Sequence, residues 1–179
     1  MPKGEILIHA CCATCAGYVL HKTAQEGYIP VIYYYNPNIF PLAEYKLRRD
    51  ELKNYAQKQK IRFIEENYNP EEWSDFIKGL ESEPERGLRC NKCFELRLSK
   101  TADFALKNNI KIFTTTLSIS PHKNSKIILS TGTKIAEERD LIFLAEDFKK
   151  QDGFKKTMEI AKIEGFYRQN YCGCFYSLR

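Results

Sequence analysis

No segment of this chain is apolar for long enough to cross a bilayer. The longest runs, ILIHACCA and IFLA, fall far short of the ~20 residues a spanning helix needs, so no membrane partner is expected. The opening MPKGEILIHA moves at once into a strand-like pattern and lacks a small-residue cleavage site. That predicts a chain without a signal peptide, working in the cytoplasm. Internal repeats, low-complexity stretches and linkers long enough to divide the chain are also missing. The 179 residues are therefore expected to form one domain, 1–179, around a sizeable core. Nor does any cysteine stand by itself.

What the chain has instead is seven cysteines in three tight groups. They are Cys11, Cys12 and Cys15 in HACCATC, Cys90 and Cys93 in RCNKC, and Cys172 and Cys174 in YCGC. Cysteines serving as small core residues would scatter through the apolar runs. Set one to three residues apart, they are spaced to wrap a soft metal or to exchange electrons. An odd count in a reducing compartment argues against a plain disulfide framework. Net charge is +5, from 28 Lys and Arg against 23 Asp and Glu, a mild bias toward a polyanionic partner. The pairs Arg48-Arg49, Lys149-Lys150 and Lys155-Lys156 read first as solvated helix faces and second as phosphate contacts.

Strand and helix patterns alternate along the chain. EILIHA (5–10) reads as a buried strand running into the first cysteine group, and 16–26 as a helix closed by Gly27. PVIYYY (30–35) is β-branched and aromatic, hence a strand, and NPN stops it. Pro41 opens a helix whose buried face carries Leu42, Tyr45, Leu52, Tyr55 and Ala56. IRFIEE (61–66) is a third strand, and PEEWSDFIKGL starts a helix with carboxylates in its first turn. The spacing of Phe94, Leu98, Ala102 and Ala105 predicts a helix over 94–107. KIFTTTL (111–117) reads as a strand, 125–138 as a helix and LIFLAE (141–146) as a last strand.

Such alternation calls for a parallel α/β sheet with helices on both faces. Right-handed crossovers bring every strand's C-terminal end to one edge, and ligands bind there where the strand order reverses. HACCATC, YYYNPN and TTTLSISPHKN each follow a strand, so they should converge at that edge.

The Cys-x-x-Cys of Cys90 and Cys93 is expected just ahead of a helix, where the dipole, Arg89 and Lys92 would lower its thiol pKa values. Alone it reads as half a zinc ribbon, a redox dithiol, or two ligands of an iron–sulfur cluster. A zinc ribbon wants two similar knuckles, and the other two groups differ from this one. A 4Fe-4S cluster takes four thiolates and leaves three for chemistry. In Cys172-Gly173-Cys174 the glycine permits an unusual path, and the pair can pass between dithiol and strained disulfide, a two-electron change. The plainer reading is two further metal ligands. Cys11 and Cys12 would face opposite sides of a strand, so both reach one cluster only where the strand has ended. Cys15, one helical turn on, is the alternative ligand.

Asn36 and Asn38 flank Pro37 and either build a turn or face a site. Ser120, His122, Lys123 and Asn124 read as an N-cap with a solvated loop, or as an anion and ribose contact with His122 as the acid. Tyr167, Arg168 and Tyr171 are suited to stack a base and grip phosphate.

The blocks HACCATC, YYNPNIFPLAEY, ERGLRCNKCFELRL, TTTLSISPHKN and FYRQNYCGC occur in order between residues 9 and 174. On them the chain resembles the epoxyqueuosine reductases of the QueH type. The resemblance implies reduction of epoxyqueuosine to queuosine at the tRNA wobble position, the final step of queuosine biosynthesis, without cobalamin. It implies the Rossmann-like fold of the adenine-nucleotide alpha hydrolases (HUP). HACCATC stands where those relatives carry a Gly- and Ser-rich pyrophosphate loop, which argues against ATP-driven chemistry. Thr14 occupies a place where proline is expected in the family, with the cysteine spacing kept.

Carried over, Cys11, Cys12, Cys90 and Cys93 hold a 4Fe-4S cluster and Cys172 with Cys174 forms the redox pair. Cys15 is the candidate ligand of an additional iron ion, and His122 the proton donor. Asn36, Asn38, Ser120, Lys123, Asn124 and Arg168 are the expected substrate contacts. Segment 150–179 is expected to close over the site. The partners are tRNA carrying the epoxide in its anticodon loop and an electron donor that the sequence does not identify. Two rival readings are a zinc-stabilised RNA-binding module without catalysis and a general thiol oxidoreductase. Metal content and small-disulfide turnover separate the three.

Overall fold

A computed structural model describes residues 1–178. Five parallel strands form one sheet: β1 (Glu5–His9), β2 (Ile29–Tyr34), β3 (Arg62–Glu65), β4 (Ile112–Thr115) and β5 (Ile142–Phe143), in the order β3-β2-β1-β4-β5. The parallel sheet with helices on both faces expected from the alternation is present, in the Rossmann-like arrangement that the resemblance implies. Side chains alternate across the sheet. Ile6, Ile8, Ile32 and Tyr34 enter one core, and Leu7, Val31, Tyr33 and Phe113 enter the other. Helices α1 (Ala13–Gln25) and α2 (Leu42–Lys58) cover the first face. Helices α4 (Leu88–Lys107) and α5 (Ser125–Glu137) cover the second, with the short α3 (Pro70–Phe76) against α4. Each such Leu, Ile or Val side chain taken fully out of water contributes about 1.5–3 kcal/mol.

Helix α1 starts three residues earlier than its apolar pattern suggests, because the Cys12 sulfur caps it, accepting from the Cys15 N–H at 3.4 Å. Gly27, just beyond its end, has φ +92°, the left-handed conformation that ends such helices. In α2 the buried stripe is Tyr45, Arg48, Leu52, Tyr55 and Ala56. Leu42, the first residue of the helix, is exposed, and the buried Arg48 completes the stripe in its place.

Helix α4 begins at Leu88, six residues before the apolar spacing starts. Glu83 Oε2 accepts from the Leu88 N–H at 3.2 Å and secures that end. Cys90 and Cys93 thus lie inside its first turns rather than ahead of it. Strand β4 stops at Thr115, whose hydroxyl accepts from the Leu117 N–H and starts a 3-10 turn over Thr116–Ile119. Strand β5 is two residues long, not six. Past Phe143 the chain leaves the ladder, and the hydroxyls of Thr114 and Ser118 take up the carbonyls of Leu144 and Glu146.

An unforeseen helix, α6 (Gly153–Glu164), lies along α1. Gly153 has no room for a Cβ against the Phe148 carbonyl, and Thr157 donates to the Thr14 carbonyl at 2.5 Å. Among the described residues no helix is long and apolar enough to cross a membrane.

Candidate active site

The strand order reverses between β1 and β4, and a cavity of about 270 Å³ opens at that edge. Six of the seven cysteines line it: Cys11, Cys15, Cys90, Cys93, Cys172 and Cys174. All three cysteine groups therefore meet in one place. Cys12 is buried against Cys11, their sulfurs 3.8 Å apart.

His9 fixes the floor. Fully buried at the end of β1, it bridges Thr115 Oγ1 (2.9 Å) and the Tyr35 carbonyl (3.1 Å), tying together the ends of β1, β4 and β2. Burial and the nearby Arg97 charge push its pKa down to about 3, so the ring is neutral. Because β1 ends there, Cys11 and Cys12 no longer point to opposite faces. The sulfurs of Cys11, Cys12 and Cys15 all lie within 4.8 Å of one another. Hydrogen bonds from Cys12 and Cys15 hold the Cys11 thiol well below its usual range, with help from Lys123 and Arg97. The same contacts push Cys12 up to about 12, and they raise Cys15 well above its usual range. One thiolate with two thiol donors is a soft nest suited to a thiophilic metal.

The second group behaves differently from the expectation that Arg89 and Lys92 would acidify it. Burial raises the Cys90 pKa, against a hydrogen bond from the Arg86 N–H at 3.2 Å. Arg89 turns away, donating to the carbonyls of Leu80, Glu81 and Glu83 and lying 4.6 Å from the Tyr176 ring centroid. Lys92 pairs with Glu95 at the surface. Cys93 is buried, with Arg97 Nη1 at 3.9 Å from its sulfur.

The third group is held by Arg48, not a solvated charge but a buried clamp. It donates to the Cys172 carbonyl (2.9 Å), the Tyr171 carbonyl (3.2 Å) and Glu44 (2.7 Å). The Gly173 carbonyl accepts from the Phe40 N–H at 2.7 Å, and the Tyr171 hydroxyl reaches the Phe40 carbonyl. A 3-10 turn at Phe175–Ser177 then brings the Ser177 hydroxyl 3.1 Å from the Cys172 sulfur and 3.5 Å from that of Cys174. Cys174, aided by Lys123 and Ser177, holds the Cys172 thiol well below its usual range, and Cys174 itself is pushed up. A second thiolate results.

Lys123 answers both. Burial disfavours its charge, yet the fields of Cys11, Cys172 and Cys15 outweigh that and raise its pKa. His122, beside it, is exposed at the rim, its carbonyl accepting from Arg86. Ser120, Asn38 and the exposed Arg168 also line the cavity, and the buried Asn38 Oδ1 has no partner. Asn124 lines it too, but its side chain caps α5 through the Ile127 N–H, the plainer of its two readings. Asn36 lies behind the wall. Its amide joins the Ala10 carbonyl (2.9 Å) to Arg97 (2.7 Å).

Three functional neighbours escaped sequence reasoning: Arg48, Arg97 and Gln169, whose amide donates to the Cys12 sulfur at 3.1 Å. The two arginines carry a legible signal, a charge set in the apolar stripe of a helix. Gln169 carries none.

The family model described as "Epoxyqueuosine reductase QueH" matches residues 6–179. The protein of that name from Haemophilus influenzae is 43% identical over 182 residues, covering 100% of this chain and 74% of its own. Its namesake from Histophilus somni is 42% identical over 182 residues, covering 100% and 75%. Among solved structures, the "predicted subunit of tRNA methyltransferase" from Methanocaldococcus jannaschii matches with a TM-score of 0.59 at 12% identity. The match spans 88% of this chain and 74% of that one, a likeness of fold.

Proposed function

Since the chain belongs to the epoxyqueuosine reductase QueH family, we propose that it reduces epoxyqueuosine to queuosine at the wobble position of tRNA, as a cytoplasmic enzyme independent of cobalamin. One observation carries this reading: three cysteine groups from distant parts of the chain line a single cavity at the sheet's switch point.

The reaction takes two electrons and two protons. Both carbon–oxygen bonds of the epoxide break, the carbons keep a double bond and the oxygen leaves as water. We assign Cys11, Cys12, Cys90 and Cys93 to a 4Fe-4S cluster and Cys15 to an additional iron ion. The soft nest around the Cys11 thiolate and the two thiols of α4 in the same cavity fit such groups. When bound, a cluster supplies electrons singly, and an iron with an open position supplies a Lewis acid.

The Cys172 and Cys174 pair holds the matching two electrons and, with Cys172 as thiolate, one of the two protons; the Lys123 ammonium gives the other. Oxidation of the pair to a disulfide, with conversion of epoxide to alkene and water, balances the step. An external donor must then return two electrons. The Cys172 thiolate is the reactive member, and Ser177 steadies both sulfurs. Lys123 presents an ammonium to the epoxide oxygen and stabilises the charge that develops there. His122, at the solvent rim, replaces the proton delivered.

Asn38 offers a free amide oxygen to the base, Ser120 meets the ribose, and Arg168 takes a flanking phosphate. Asn36 and Asn124 support the wall and the loop behind these contacts. Segment 150–178 closes over a base extruded from the anticodon loop, within one catalytic domain; Arg179, part of the expected segment, lies outside the described residues.

Purification without oxygen, followed by iron, sulfide and zinc analysis and a visible spectrum, tests the reading together with turnover of epoxyqueuosine-containing tRNA. A brown protein with iron matching sulfide, and formation of queuosine, is the expected result. Iron in excess of sulfide supports the additional ion. A colourless protein with stoichiometric zinc overturns the reading in favour of an RNA-binding module. Turnover of small disulfides without iron points to a general oxidoreductase.

A further inference from the structure

Arg97 is a buried cation of the site that, among the described residues, is matched neither by a carboxylate nor by backbone carbonyls. It stands four residues beyond Cys93 and seven beyond Cys90 on α4, so all three share a helix face. Only 3% of it is exposed. Nη2 donates to Asn36 Oδ1 at 2.7 Å, Nη1 lies 3.9 Å from the Cys93 sulfur, and Nε has no partner. Among the described residues it pairs with no carboxylate. Its two buried neighbours differ. Arg48 has Glu44 at 2.7 Å, and Arg89 has three backbone carbonyls.

A guanidinium taken out of water without an anion is strongly penalised, so a stable fold must supply one. The available anions are sulfurs. Asn36 sharpens the point. Its Nδ2 is held by the Ala10 carbonyl, one residue before Cys11, which fixes its oxygen toward Arg97. An aspartate there would neutralise Arg97, whereas the neutral amide orients the guanidinium and leaves its charge for the thiolates.

We propose that Arg97 is the fixed counter-charge of the cysteine site, positioning Cys93 and raising the reduction potential of the metal group these cysteines hold. The proposal rests on the reading that this group is redox-active. Arg97 lines the cavity and serves as a positioning residue, acting through the sulfurs. A nearby positive charge favours the form that has gained an electron, so its removal disfavours reduction.

The test is potentiometric titration of the visible or EPR signal of the wild-type, Arg97→Gln and Arg97→Lys proteins, purified without oxygen, with iron release to a chelator measured alongside. Arg97→Gln should shift the reduction equilibrium at least tenfold against the reduced form, about 59 mV to the negative for one electron. It should also release iron faster. Arg97→Lys keeps the charge but loses the planar fork, and should stay within threefold of wild type. Equal potentials in wild type and Arg97→Gln, or a tenfold shift in Arg97→Lys, overturn the proposal. If Arg97→Gln does not fold, the threefold limit on Arg97→Lys decides by itself. A wild-type protein without a redox-active metal removes the underlying reading, an outcome distinct from a coloured wild type whose potential ignores residue 97.

Discussion

Arg48 and Cys172 lie 124 residues apart in sequence, and the Arg48 guanidinium donates to the Cys172 carbonyl at 2.9 Å. The same group holds the Tyr171 carbonyl and the Glu44 carboxylate, so helix α2 and the C-terminal cysteine loop share one buried charge. Removing it strands Glu44 and two carbonyls. Arg48→Ala should therefore destabilise the protein by about 3–5 kcal/mol, the cost of breaking a buried pair from one side. Arg48→Lys should recover part of this, lacking the fork that reaches both carbonyls. Chemical denaturation of both variants measures it, and an unchanged midpoint in Arg48→Ala would show the clamp to be idle.

Gly173 turns the chain between the two C-terminal cysteines at φ +120°. A Cβ there would stand 3.0 Å from Ile39 and 3.1 Å from Arg48. Gly173→Ala should cost on the order of 1–3 kcal/mol through backbone strain alone. The displaced loop should cut turnover well beyond that loss of stability. Activity compared with wild type at a temperature where both are folded is the measurement, and a fully active variant would contradict it.

The parallel sheet and its ligand edge were legible because they follow from period and connection rules: β-branched runs such as PVIYYY, alternating with helical stripes, allow few other topologies. The convergence of HACCATC, YYYNPN and TTTLSISPHKN needed only the C-terminal ends of β1, β2 and β4. What stayed hidden was decided by capping and long-range contacts. The start of α4 lies under the polar run RCNKC, secured by Glu83 from outside the helix. Strand β5 is cut short by hydroxyls of the β4 strand and the turn after it. Arg48 read as half of a basic pair: its place in the apolar stripe of its helix marks it for burial, but nothing local announces a partner 124 residues away.

The cysteine groups should separate by variant. Cys11→Ser and Cys93→Ser should lose iron and colour. Cys172→Ser and Cys174→Ser should keep both while losing turnover, since they remove the dithiol and not the metal ligands. Cys15→Ser separates the two roles open to that residue: loss of iron without loss of sulfide assigns it to the additional ion. Iron and sulfide analysis of the five proteins, beside queuosine formation, reads all of this. Full activity in Cys172→Ser with a physiological donor would eliminate the relay.

Lys123 and His122 are neighbours with unlike surroundings: the ammonium lies in the field of two thiolates, and the imidazole is at the rim. Lys123→Met should lower the single-turnover rate by about 10²–10⁴-fold, the usual range for a group that serves proton transfer in the transition state. His122→Gln should lower it by no more than about tenfold, because solvent reaches the rim and substitutes for a relay. The reverse ranking would move the acid to His122.

Glu51 connects the chain leading to Cys172 with helix α2, its Oε1 accepting from the Tyr167 N–H at 2.7 Å. Burial raises its carboxyl above the ordinary 4.5, and this hydrogen bond only partly opposes the rise. A carboxyl whose folded pKa lies above the unfolded one weakens the fold at pH values above both. The penalty fades as pH falls through the folded value and is gone below the unfolded one. Glu51→Gln keeps the acceptor and removes the charge. It should raise the melting temperature at pH 7, and the gain should shrink toward zero as pH falls below about 4.5. Thermal unfolding of both proteins across that range checks the sign. An equal gain at every pH would trace the effect to packing, and a loss at pH 7 would mean that the negative charge, not the acceptor oxygen, holds Tyr167.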